Sequence, residues 1–251
     1  MRNDLVLNRV DGPIARLTLN DPGRANVLSE AMIAALGEGV ATAGADPAVR
    51  VIVLAAEGRA FSAGHELREL RAGDDKAAHE ALFARCSALM LAIGASPKPV
   101  IARVQGAAVA AGCQLVASCD LAYAAEGARF AVSGIDLGLF CSTPSVALSR
   151  MVGQKAALEM LLTGRFVGAL EAQAIGLINR AVPAADLDRV VDEAAHAIAG
   201  KPPRTVALGK ALFQRQIEMG IKDAYALAGE RMAENLGFVE TKAGIDRFLA
   251  R

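Results

Sequence analysis

The sequence predicts an α/β fold, with strands and helices alternating over residues 1–195 and a helical segment over residues 196–251. Three observations carry this. Two short apolar runs flank Asp11-Gly12, the spacing of a β-hairpin. Apolar runs at Val51 to Ala55 and Pro99 to Val104 are each followed by a turn and a helical pattern, the order of right-handed βαβ crossovers. Beyond Ser142 the periodicity is helical and is punctuated by Pro183 and Pro202-Pro203.

Taken in order, Leu5 to Val10 and Ile14 to Leu19 form the hairpin, and Asn20-Asp21-Pro22-Gly23 breaks its second strand. Ser29 is placed to cap a helix with Met32, Ile33, Leu36 and Val40 on one face. The continuous run at Val51 reads as a buried strand. Gly58 to Leu67 is a loop running into a helix, followed by a charged segment over Arg71 to Lys76. A helix spans Lys76 to Ile93, with Leu82, Cys86, Met90 and Ile93 near helical spacing. After the strand at Pro99 comes V-Q-G-A-A-V-A-A-G-C-Q-L-V-A-S-C-D, from Val104 to Asp120. It turns at Gly106, carries little side-chain bulk to Cys113 and becomes helical from about Ala110. Short strands are expected at Leu121 to Ala124 and Arg129 to Val132. Helices follow at Pro144 to Met151, Gln154 to Leu162, Leu170 to Ala174, Asp186 to Ala199, Pro203 to Glu218 and Lys222 to Asn235. No period of self-similarity is visible. The final helices are too amphipathic to stand alone and are expected to dock on their own core or on another subunit.

Composition narrows the function classes. Hydrophobic residues make up 53% of the 251, enough for a substantial core. With 27 basic and 27 acidic residues, no basic block and 4% aromatics, no nucleic-acid partner is expected. No apolar run approaches the roughly eighteen residues that a membrane span needs, and the start of the chain alternates like a strand rather than a leader. Cys86, Cys113, Cys119 and Cys141 form no CxxC pair, which favours a reducing, cytoplasmic setting. His65, His79 and His196 are scattered, so no metal site is expected.

Two stretches carry chemistry. In the first, a strand, a small-residue turn and a helix start at Ala110 leave backbone N–H groups without partners. Small side chains there allow a ligand oxygen to approach, although tight helix packing explains the same residues. The second stretch, A-F-S-A-G-H-E-L from Ala60 to Leu67, repeats that logic around Gly64. Two such turns can each aim one N–H at a single oxygen, which is how a developing oxyanion is held.

Together these stretches resemble the crotonase, or enoyl-CoA hydratase/isomerase, superfamily. The likeness runs through L-T-L-N-D-P-G-R-A-N-V-L, V-I-V-L-A-A-E-G-R-A-F-S-A-G, P-V-I-A-R-V-Q-G, S-C-D-L-A-Y-A and E-M-L-L-T-G, and on to the C-terminus. F-S-A-G-H-E-L, A-A-G-C-Q-L-V-A-S-C-D and G-L-F-C-S-T-P look most like the enoyl-CoA hydratase domain-containing protein 3 group. The resemblance implies a spiral of ββα units with a C-terminal helical trimerisation segment, assembled as a homotrimer or hexamer. It implies an acyl-CoA thioester as ligand, with coenzyme A entering as part of the substrate and no cofactor bound permanently. By the same resemblance the oxyanion donors are the backbone N–H groups of His65 and Ala111. Contacts to coenzyme A fall near Arg24, Ala25 and Val27, at Ala63 and Leu67, and on Phe248 and Arg251 of a neighbouring subunit.

The pattern breaks at the proton-moving groups. The family's two hydratase carboxylates fall on Gln114 and Gly134. Glutamine orients water but does not exchange protons near neutral pH, and glycine offers only space. Losing both groups is expected to cripple ordinary hydration, and Gln114→Glu with Gly134→Glu to restore some of it. Asp136 is a possible substitute acid or a solvated surface carboxylate, and Glu66 a cap for the following helix. Cys141 is a nucleophile or, more commonly for a buried thiol, an apolar filler. The imidazole of His65 is either chemical or a bystander to its own amide. Three readings therefore stand: an enoyl-CoA hydratase-like enzyme of fatty acid metabolism, a non-catalytic acyl-CoA-binding or partner protein, or another crotonase reaction such as isomerisation or thioester hydrolysis.

Overall fold

The computed structural model describes residues 4–72 and 75–250, so Gly73 and Asp74 of the charged segment lie outside the described residues. A hairpin of β1 (Val6–Asp11) and β2 (Ile14–Leu19) leads to α1 (Glu30–Ala45), β3 (Val51–Ala56), β4 (Ala60–Ser62), α2 (Leu67–Ala72) and α3 (Lys76–Ala95). Next come β5 (Val100–Val104), β6 (Ala107–Val109), α4 (Ala111–Ser118), β7 (Leu121–Ala125), β8 (Arg129–Ala131), a 3-10 turn at Ser133–Leu137 and α5 (Ser142–Met151). The remainder is α6 (Gln154–Thr163), β9 (Val167–Gly168), α7 (Ala169–Ala174), β10 (Arg180–Val182), α8 (Leu187–Ala199), α9 (Pro203–Gln216), α10 (Ile221–Leu236) and α11 (Val239–Leu249). The cap expected from sequence forms, with Ser29 Oγ accepting the Met32 N–H of α1, and the structure adds another, the Asp75 carboxylate accepting the Ala78 N–H of α3.

Two sheets organise these elements. The larger has the order β1-β2-β3-β5-β7-β10, antiparallel only between β1 and β2; the smaller has the order β4-β6-β8-β9. The consecutive pairs β3 and β4, β5 and β6, and β7 and β8 each send one strand to each sheet before a helix follows. This is the spiral of ββα units that the resemblance implied. No repeat shows in the sequence because successive first strands begin at Val51, Val100 and Leu121, with no fixed spacing, and the second strands span only three residues. The small-residue run after Gly106, read from sequence as a turn, contains β6.

Strand β3 is buried on both faces, and the period of two divides its side chains. Ile52 and Leu54 join the main core beside Leu36 and Met32 of α1 and Ile93 of α3. Val51 and Val53 face the other way, against Leu187, Val190, Val191 and Ala195 of α8. The division expected at residue 195 therefore falls inside α8, a helix that belongs to the sheet's packing.

Helices α9, α10 and α11 follow, and a buried ion pair fastens them. Lys210 Nζ of α9 lies 2.7 Å from Asp120 Oδ2 and donates to the carbonyls of Ile93 and Lys98. The Asp120 carboxylate also accepts the Val100 N–H. Breaking one member of such a pair typically costs about 3–5 kcal/mol, because the other charge is left buried. Large apolar side chains are exposed on α10 and α11: Ile221 is 78% exposed, Tyr225 74%, Val239 78% and Phe248 74%. Among the described residues, no helix is long and apolar enough to cross a membrane.

Candidate functional site

The smaller sheet positions the site. Strands β4, β6 and β8 run parallel, with Ser62 opposite Ala108 and Ala108 opposite Phe130. Their carboxyl ends therefore lie side by side and release three turns together: Ala63–His65, Ala110–Ala111 and Ser133–Gly134. Ligands of parallel α/β sheets characteristically bind beyond such strand ends.

Gly64 makes the first turn possible. Its φ is +89°, a conformation that side chains rarely adopt. A Cβ built there would stand 2.9 Å from the Val109 carbonyl, 3.0 Å from Ala110 Cβ and 3.2 Å from the Ala111 nitrogen. The two small-residue stretches therefore touch at these residues. Ala110 adopts φ 50° and ψ −117°, a strained state for alanine, as the chain turns from β6 into α4.

Neighbouring amides are accounted for. Leu28 N–H donates to the Gly64 carbonyl, Gly64 N–H to Ser62 Oγ, Ala110 N–H to the Ala131 carbonyl and Gln114 N–H to the Ala110 carbonyl. Among the loop and cap hydrogen bonds of the described residues, the N–H groups of His65 and Ala111 have no backbone acceptor. Two such donors at adjoining turns can hold charge that develops on one oxygen.

His65 and Ala111 line a cavity of about 200 Å³ together with Ala63, Leu67 and Gly134. Phe83, Leu137, Leu139 and Phe140 make its walls apolar, and Cys141, Ser142 and Thr143 close another side. The His65 ring packs edge-on to Phe83 at 5.5 Å, and its Nε2 is buried without a hydrogen-bond partner among the described residues. Burial lowers the His65 pKa below its ordinary value. Burial also raises the Cys141 thiol, against a smaller opposing contribution from the Gly134 backbone. Cys113, behind it on α4, is pushed up to about 12, chiefly by burial.

The expected carboxylate positions look different in three dimensions. Gln114 is 5% exposed, lies outside the cavity lining, and leaves its Oε1 buried without a partner. Gly134 lines the cavity, but it has no room for a side chain. A Cβ there would overlap the Leu139 carbonyl oxygen and stand 2.9 Å from Cys141 Sγ. The sequence treats this glycine as open space, and the loop returning through Leu139 has filled it. Asp136 is exposed and lies outside the lining, with its carboxylate turned toward Gly164.

The remaining expected residues sit around the site. Arg24 is engaged on its own chain, 2.6 Å from Asp21 and 3.3 Å from Glu66. The other Glu66 oxygen accepts the Arg68 N–H at the start of α2, which is the capping role expected for it. Ala25 donates its N–H to the Pro22 carbonyl and accepts from Ala63 N–H, so its backbone is already bonded on both sides. Val27 precedes Leu28, which bridges to His65. Phe248 lies outside the lining of its own chain's cavity, and Arg251 lies outside the described residues.

Sequence reasoning passed over Asn26, which is fully buried at φ 52°. Its Nδ2 donates to the Glu57 and Ala60 carbonyls, and its Oδ1 accepts the Asp21 N–H. Its own carbonyl accepts from Ser62 Oγ–H. Asn26 thereby fastens the Arg24–Val27 loop to β4 and the His65 turn. The signal available was a polar residue able to adopt left-handed backbone, placed between a turn and an apolar run.

Comparison with known proteins agrees with this architecture. The profile of the Enoyl-CoA hydratase/isomerase family matches residues 9–251. The mitochondrial enoyl-CoA hydratase domain-containing protein 3 of Xenopus laevis is 44% identical over 95% of this chain and 81% of its own length. The crystal structure of an enoyl-CoA hydratase from Mycobacterium smegmatis is similar at 55% identity and TM-score 0.97, covering 99% of this chain and 97% of that one. The human enoyl Coenzyme A hydratase domain-containing protein 3 structure gives TM-score 0.95 at 41% identity, covering 98% and 97%.

Proposed function

This chain belongs to the enoyl-CoA hydratase/isomerase family, and from that premise we propose that it binds an acyl-CoA thioester and stabilises its enolate with the His65 and Ala111 amides. One observation carries the reading: two N–H groups without backbone partners, on touching turns, border an otherwise apolar cavity. The thioester oxygen would accept from both amides, and the acyl group would lie against Phe83, Leu137, Leu139 and Phe140. The pantetheine arm would leave past Ala63 and Leu67, toward the Arg24–Val27 loop. Coenzyme A is then part of the substrate.

Ordinary hydration is a poor match to the same cavity, because Gln114 lies behind it and Gly134 is closed by Leu139. Those two residues equally favour a second reading, a binder of acyl-CoA without turnover. Calorimetric titration with butyryl-CoA and a hydration assay with crotonyl-CoA address both. Saturable binding with negligible hydration is expected. Hydration at the rate of an ordinary hydratase would contradict the assignment of Gln114 and Gly134, and absence of binding would remove both readings.

The reading extends to assembly and setting. The exposed apolar face of α10 and α11 is proposed to be covered by other copies in a trimer or a pair of trimers, which brings Phe248 to a neighbour's site. Sedimentation is expected to give three or six times the 26.0 kDa of one chain, and a monomer at micromolar concentration would refute it. All four cysteines are free, in keeping with a reducing compartment and the proposed cytoplasmic setting.

A further inference from the structure

We propose that the imidazole of His65 is the proton-moving group of this site, exchanging the α-proton of the thioester that the His65 and Ala111 amides hold. The inference rests on the acyl-CoA reading above and adds the step that reading lacks. Enolate stabilisation alone moves no proton, and a positioned acid or base near the α-carbon typically contributes about a hundred- to ten-thousandfold in rate.

Elimination leads to His65. Gln114 cannot exchange a proton, Gly134 carries no side chain and has no room for one, and the Asp136 carboxylate is turned toward Gly164. Of the described residues lining the cavity, only His65 and Cys141 have side chains that titrate. Cys141 is buried, and its thiol is held in the protonated form by that burial. It is a poor base at neutral pH.

The ring has the features the task requires. Phe83 from α3 fixes its plane by edge-on packing, with an interplanar angle of 86°. Nε2 is enclosed without a partner among the described residues, so the ring nitrogen left to meet a ligand is Nδ1. Among the described residues no charged side chain contributes to its titration. The adjacent Glu66 is occupied by Arg24 and the Arg68 N–H, Phe83 is uncharged, and the other titratable group of the described lining is the protonated Cys141 thiol. Among the described residues nothing nearby stabilises an imidazolium, so the resting ring is neutral and ready to accept a proton.

The step balances without a co-reactant. A ring nitrogen lone pair takes the α-hydrogen as a proton, the C–H electron pair becomes the enolate double bond, and the carbonyl pair moves onto the oxygen facing the two amides. Returning the proton to the α-carbon regenerates the thioester. With a 3-enoyl thioester, return at the far carbon shifts the double bond.

The test is deuterium uptake at the α-carbon of butyryl-CoA in D2O, read by mass spectrometry, with binding measured in parallel by calorimetry. Wild type is expected to incorporate deuterium. His65→Gln keeps the backbone N–H and is expected to bind within a few-fold while exchanging at least about a hundredfold more slowly. His65→Ala is expected to regain exchange when free imidazole is supplied. The wild-type rate is expected to be flat at and above neutral pH and to fall as pH drops through the lowered His65 pKa. Wild type that binds butyryl-CoA without exchange would overturn the inference and leave the binding reading intact. Undiminished exchange in His65→Gln, or a rate climbing through the alkaline range of a thiol, would also overturn it. Wild type that fails to bind would remove the acyl-CoA reading itself.

Discussion

Gly64→Ala is expected to lose enolate stabilisation almost completely, by about a hundred- to a thousandfold in any reaction that passes through the thioester oxyanion. The cause is local and twofold. At φ +89° an alanine is strained by about 1–3 kcal/mol, and its methyl would press on the Val109 carbonyl, Ala110 Cβ and the Ala111 nitrogen at once. Relief requires the His65 turn and the Ala111 turn to separate, which takes one donor away from the shared oxygen. Far-UV circular dichroism is expected to remain that of the wild type, because β4 and α4 stay in the core. Ala110→Gly is the matched control. It removes the strain at φ 50° without adding an atom and is expected to keep acyl-CoA binding. A Gly64→Ala protein that exchanges or turns over acyl-CoA like wild type would remove the His65 and Ala111 amides from the mechanism.

Gly134→Glu has the second-largest expected effect, and its direction is opposite to what the sequence implies. Replacing a missing acid ought to add activity, but the first side-chain atom overlaps the Leu139 carbonyl and crowds Cys141 Sγ. Overpacking of this kind costs roughly 1–3 kcal/mol even where side chains can give way, and here the obstacle includes backbone. The loop from Leu137 to Cys141 must move, and it carries Leu139 and Phe140 of the cavity wall. Weaker butyryl-CoA binding by at least tenfold and no gain in crotonyl-CoA hydration are expected, both alone and combined with Gln114→Glu. A double variant that hydrates crotonyl-CoA with undiminished affinity would show that the loop yields readily and that the missing acids alone limit the wild type.

The larger sheet apart from β10, and most helices, were legible because their signals are periodic or chemical. The run Val51 to Ala55 has no polar residue, as a strand buried on two faces requires, and Ser29 announces α1 by a side chain that can cap it. Of the smaller sheet, only β8 was legible, as the strand expected at Arg129 to Val132. Strands such as Ala107–Val109 are too short and too uniform to show alternation, and their pairing is set by partners distant in sequence. The site divides along the same line. The turns at Gly64 and Ala110 were legible because a turn followed by a helix start is a local pattern, whereas Ala111 came only from the family resemblance. What Gly134 faces was not legible, because a glycine has no side chain to report the carbonyl packed against it. Gln114 lies on α4 within the expected helical stretch, but only the packing shows that it is buried outside the cavity lining. Asn26 works through four bonds to segments up to 36 positions away, which no local pattern reveals.

The central claim is that the His65 and Ala111 amides polarise a thioester carbonyl. Isotope-edited difference infrared spectroscopy with acyl-CoA labelled at the carbonyl carbon measures that directly. The bound carbonyl band is expected to move to lower frequency than in free ligand, and the shift to vanish in Gly64→Ala. A bound ligand whose carbonyl band stays at its solution position would contradict it.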